Sequence, residues 1–195
     1  MNSSRQYSNQ IQGGAAVSSI YFMEDDYCMI EILPLENLAF CLKQAEESRK
    51  FADAHRSGIG STGVYVISDG PVGLREKRIT ASSLDKAMQE ALPKFDEVYY
   101  EAEHSSPQTF AYGYDSNVAL FFEEKDEIVD TIWLTLVIKK EQDVDRALRM
   151  LDALSGLGAF LLADWGWCVI ERLENRDSLK PYLRKRLKVF AARRQ

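Results

Sequence analysis

AFLLADWGWCVIERL, residues 159–173, is the longest apolar run in the chain, and it follows directly on a clean helical pattern. A run apolar on both faces has to be covered on both sides, so it reads as a central strand. Gly166 inside it suggests a bulge or a close backbone approach. In a regular strand Leu162, Asp164 and Gly166 share one face, opposite Ala163, Trp165 and Trp167. A buried unpaired charge is too costly to keep, so Asp164 belongs near a solvent edge or against a hydrogen-bonding partner. Tryptophan anchors typify interface hot spots, which makes Asp164 and Trp165 candidate partner contacts. A strand-end acid among core aromatics is the structural alternative.

Working outward, Val144, Ala147, Leu148, Leu151 and Leu154 recur at helical spacing behind Asp143, and Gly156 and Gly158 end that helix. Before it, IWLTLVI (Ile132 to Ile138) is apolar on both faces and fits the middle of a sheet. The acidic stretch EEKDE (Glu123 to Glu127) reads as its link to Val118–Phe122. Phe110–Tyr114 and Val98–Ala102 are further strands, separated by SSPQ and DSN turns. Nearer the start, YCMIEIL (Tyr27 to Leu33) is strand-like. Pro34 ends it and opens a helix from about Glu36 to His55.

Between these blocks, Val64–Ile67 and Leu74–Thr80 read as short strands. Ser82 or Ser83 caps a helix to about Leu92. A last helix covers about Ser178 to Ala192. The order predicts an α+β fold, a mixed or antiparallel sheet covered by helices, with β-α-β units at both ends of the chain. Residues 1–19 read as a polar, disordered leader and 20–195 as a single α+β domain.

Charge is unevenly spread. Eight Lys and Arg against one acid give residues 176–195 +7, so residues 1–175 carry −13 of the net −6. An acidic body repels nucleic acid and favours a cationic partner, chiefly through association rate and specificity. Surface acids that only keep a protein dispersed are the bland alternative. The exposed acids of the loops, Asp25 and Asp26 in EDD and Glu123, Glu124 and Asp126 in EEKDE, are the candidate contacts, with solvated turns as the alternative. The basic last helix reads as a packed helix balancing the acidic body, without nucleic-acid or membrane binding.

Other signatures point away from catalysis. Gly58-Ile59-Gly60-Ser61-Thr62-Gly63 matches GxGxxG, but a dinucleotide site needs a strand before it and a helix after it, and here that order is reversed. His55 and His104 lie far apart and outside metal-spaced motifs, so no metal or cofactor is expected. Cys28, Cys41 and Cys168 form no CxxC pair and sit in apolar contexts, which fits small core residues in a reducing cytoplasm. No GxSxG elbow occurs, although a triad assembled in space stays open.

Two phrases carry a resemblance. EDDYCMIEILPL (Glu24 to Leu35), followed by a helix, resembles the opening of small bacterial immunity proteins, the cytosolic antidotes of polymorphic and contact-dependent toxins. LLADWGWCVIERLENRDSLKPY (Leu161 to Tyr182) is similar to their closing strand, turn and helix. The resemblance implies a non-enzymatic cytoplasmic protein that binds and occludes a cognate secreted toxin domain. Combined with the acidic body, it implies a basic, nuclease-like partner. A homodimer, a small-ligand sensor or scaffold, and an enzyme without a recognisable motif remain open.

Overall fold

Period-two alternation along the strands sorts the core into two layers. The computed structural model describes residues 18–57, 60–61, 65–100, 104–106 and 108–192. The chain runs β1 (Ser19–Phe22), β2 (Ile30–Pro34), α1 (Leu38–Ala54), β3 (Arg56–Ser57), β4 (Gly60–Ser61), α2 (Ala81–Ala91), β5 (Glu97–Tyr100) and β6 (His104–Ser105). It continues with β7 (Thr109–Asp115), β8 (Val118–Lys125), β9 (Ile128–Leu136), α3 (Glu141–Ser155), β10 (Phe160–Asp164), β11 (Val169–Arg172) and α4 (Arg176–Ala192).

The main sheet has the order β11-β10-β2-β9-β8-β7, with every neighbouring pair antiparallel. A smaller sheet, β1-β5-β6, is mixed, and β3 pairs with β4 alone. The fold is α+β, as the sequence order predicts. β9 and β10 both run antiparallel to β2, which lies between them. The unit β9–α3–β10 is therefore split by a strand from the start of the chain. The other unit, β2–α1–β3, leads out of the main sheet.

On one face, Ile30 and Ile32 of β2, Leu120 and Phe122 of β8, Ile132 and Leu134 of β9, and Phe160 and Leu162 of β10 join a single core with α2, α3 and α4. The α3 stripe expected from its spacing is buried there in full. Each fully buried Leu contributes about 1.5–3 kcal/mol. The alternate residues point to the second face. Ala119, Phe121 and Trp133 pack under the small sheet through Ile20, Phe22 and Val98. Nearer β11, the same face meets α1, whose Arg49 donates to the Cys168 carbonyl at 3.1 Å. Two separate covers on one face leave a gap between them.

Several local expectations are corrected. Residues 159–173 form a hairpin, not one strand: Trp165–Cys168 is the turn, and Gly166 lies within it. The Asp164 carboxylate accepts the Trp167 N–H at 3.1 Å and closes that turn. Leu74–Lys77 is a 3-10 turn where alternating charges suggested a strand, and Thr80 keeps only one bridge, to Ile128. Residues 65–70 hold no strand. Glu123–Lys125 end β8, and Asp126 and Glu127 alone make the turn, both at positive φ. Thr80, not Ser82 or Ser83, caps α2 by accepting the Ser83 N–H. Ser19 opens β1, inside the expected leader, and residues 1–17 lie outside the described residues. Most of the GxGxxG stretch also lies outside them, as do Glu101 and Glu103 beside His104.

Candidate functional site

The gap on the second face is a cavity of 430 Å³, walled by Tyr27, Phe40 and Trp165 and carrying Glu31 and Asp69. Its floor follows from the alternation of β2. With Ile30 and Ile32 turned to the helix layer, Glu31 must face the other way, beside its register partners Trp133 on β9 and Ala163 on β10. The turn after β10 then brings Trp165 over it, and the indole N–H donates to the Glu31 carboxylate at 2.6 Å. The Cys28 thiol makes a second donor contact. Burial raises the Glu31 pKa above the ordinary carboxylate range, Asp69 adds to the rise, and the two donors work against it. Among the described residues no basic side chain pairs with Glu31.

One wall is held by Asn37, which is fully buried ahead of α1. Its amide donates to the Val72 carbonyl at 2.8 Å and accepts the Val72 N–H at 3.0 Å. These bonds pin the strandless loop that carries Ile67, Asp69 and Gly70. A Cβ at Gly70 would sit 2.7 Å from the Asn37 amide nitrogen, so the close approach requires glycine. The opposite wall belongs to Tyr27, whose ring stands edge-on to Trp133 at 4.8 Å.

The acids singled out from sequence fall into three places. Asp25 and Asp26 occupy an exposed 3-10 turn immediately before Tyr27. Glu123 faces the Tyr27 hydroxyl at 3.5 Å and accepts from Thr109 at 3.2 Å. With Glu124, Asp126 and Asp130 it lines a second cavity, of 560 Å³, and Arg75 approaches Asp126 at 3.4 Å and Asp130 at 3.8 Å. Trp165 lines the Glu31 cavity. Tyr27 therefore joins the cavity to the β8 acids.

Asp164 stands apart. It is 1% exposed and points into the helix layer, where Tyr182 donates to it at 2.7 Å and Arg186 lies at 3.4 Å. The Arg186 guanidinium rests over the Trp167 ring at 4.7 Å and the Tyr182 ring at 5.5 Å. Burial also lifts the Tyr182 phenol well above its usual range. The carboxylate fastens α4 to the β10–β11 hairpin and offers nothing to a partner; of Asp164 and Trp165, only Trp165 reaches the cavity.

Glu31, Tyr27 and Asp69 were not singled out from sequence. Glu31 did leave a signal, a carboxylate inside the apolar run YCMIEIL, which demands a reason. Asp69 in a plain turn left none. His55 caps α1, stacked on Phe51 at 3.9 Å. Of the cysteines, Cys41 is buried, and burial pushes its thiol up to about 11; Cys28 and Cys168 are half-buried, and all three are free. Among the described residues no group of His, Cys, Asp and Glu is placed to hold a metal ion, and no helix is long and apolar enough to cross a membrane. No protein-family model matches the chain, and neither does any curated protein or solved structure.

Proposed function

We propose that this chain is an immunity protein that binds and occludes a basic toxin domain through the Tyr27 side of its second face. The observation that carries the reading is the segment Met23 to Met29. It exposes Met23, Tyr27 and Met29 among Glu24, Asp25 and Asp26, and through Tyr27 it is continuous with the cavity and with Glu123. Exposed Met and Tyr ringed by acids form an apolar anchor with a charged rim, the anatomy of a protein interface. The acids would steer a cationic partner, and the anchors would hold it.

The test is a neutralisation assay. Protein bound to the chain after a high-salt wash is identified, and its C-terminal domain is expressed alone and together with the chain. Growth arrest by that domain, relieved by the chain and not by a variant carrying Tyr27→Ala and Met29→Ala, is the expected result. A domain that is harmless, or equally toxic with and without the chain, overturns the reading. The Glu31 cavity favours a second reading, a sensor of a small amine.

A further inference from the structure

We propose that the Glu31 cavity is a cation site that receives one alkylguanidinium or alkylammonium group between Trp165, Tyr27 and Phe40. Resting on the reading above, the group is an Arg or Lys side chain of the partner. Glu31 sits half-buried in the middle of a six-stranded sheet, where a carboxylate is normally matched by a cation. Two neutral donors reach it, and the other charge acting on it is that of a second acid, Asp69. None of the described side chains lining the cavity is basic, and among the described residues no cation balances Glu31.

The walls fit what is missing. Three aromatic residues line one opening, and a cation within about 6 Å of such rings is attracted by their faces. An ionised carboxylate has about four lone-pair sites, so two donors leave room for a guanidinium or ammonium. The volume of 430 Å³ admits a four-carbon stem as well as its head group. Trp165 is held to Glu31 before any ligand arrives, so the site needs no rearrangement of that indole. Asp69, exposed on the pinned loop, adds attraction at the mouth.

The experiment follows the Trp165 indole N–H by NMR, assigned with Trp165→Phe, while agmatine or an arginine capped as its acetyl methylamide is added. The matching capped citrulline serves as the uncharged control. A lone charge contact in a preformed pocket gives a Kd on the order of 1 mM. Saturable shifts with a cationic compound, absent with citrulline and weakened at least tenfold by Glu31→Gln, are expected. Asp69→Asn, on an exposed loop, is expected to weaken binding about threefold. Saturation by agmatine alone assigns a free amine; saturation by capped arginine assigns a side chain. No saturable shift up to about 10 mM, or shifts unchanged in Glu31→Gln, overturns the site. A neutralised toxin bound equally by Glu31→Gln, with no shift, removes the cation site and leaves the immunity reading. Binding of capped arginine without any neutralised partner does the reverse.

Discussion

Trp165 and Glu31 lie 134 positions apart, and their side chains meet at 2.6 Å across the gap between the two covers of the second face. The contact links the last hairpin of the sheet to its inserted strand β2. It also holds an acid whose neutral form the fold prefers, because burial raises its pKa.

That preference has a sign. A carboxyl whose folded pKa lies above its unfolded value loses stability as pH rises through the unfolded pKa, and the loss is complete above the folded one. Protonation restores it. Glu31→Gln keeps an acceptor for Trp165 without the charge, so its stability relative to the parent is expected to be highest near neutral pH and to shrink as pH falls through the carboxylate range. Paired unfolding curves from pH 7 to pH 4 check this. An advantage that grows toward acid would contradict it.

The clamp on α4 depends on Asp164 more than on any one donor. Asp164→Ala leaves the largely buried Arg186 without its anion, and removing one partner of a buried pair costs about 3–5 kcal/mol. Tyr182→Phe forfeits one hydrogen bond to a charged group, about 1.5–3 kcal/mol. Urea unfolding of both variants and of the double variant is expected to show less than the sum, because the two groups share one network. Full additivity would mean that the clamp does not act as a unit.

How much of this was legible follows from the type of signal each element carries. The α3 stripe rests on helical periodicity over many residues and the central position of β9 on a run apolar on both faces, and both stand in the structure. The β10–β11 hairpin was hidden because Trp165, Trp167 and Cys168 keep the turn apolar. Asp164 followed two residues on by Gly166 was the readable trace of it. The β8–β9 turn was hidden for another reason: Asp126-Glu127 lacks the Asn-Gly pair that usually marks a two-residue turn. The cavity was out of reach. It is lined by residues far apart in sequence, from β2 and the turn before it, Phe40 of α1, the strandless loop 67–70 and Trp165 of the last hairpin.

The same turn yields a stability prediction. Glu127 has φ +62°, a region that costs a side chain about 1 kcal/mol and glycine nothing. Glu127→Gly is expected to raise stability by about 0.5–1 kcal/mol, offset in part by the greater freedom of the unfolded chain. A lower urea midpoint would show that the Glu127 side chain holds the turn in some other way.

Asn37 is expected to control the cavity wall rather than the core alone. Asn37→Ala strands the Val72 N–H and carbonyl, at about 1–3 kcal/mol. The loss is expected first as faster amide exchange and proteolysis at residues 65–73, with α3 unchanged. Uniform loosening of the whole chain would place Asn37 in the global core instead.

Charge steering separates position from net charge. At about 0.15 M salt, fields between exposed groups fade beyond roughly 8 Å, so only acids close to the docking partner speed its approach. Asp25→Asn, Asp26→Asn, Glu123→Gln and Glu124→Gln together are expected to slow association with the toxin domain about tenfold and to flatten its salt dependence. Glu90→Gln, exposed on α2 in the layer covering the opposite face, removes one charge and is expected to leave the rate unchanged at that salt. Stopped-flow association across a salt series checks both. If the fourfold variant changes only the dissociation rate, the acids act as contacts after docking; if Glu90→Gln slows association as much per charge, the docking face lies on the helix side of the sheet, and the Tyr27 surface is not where the partner lands.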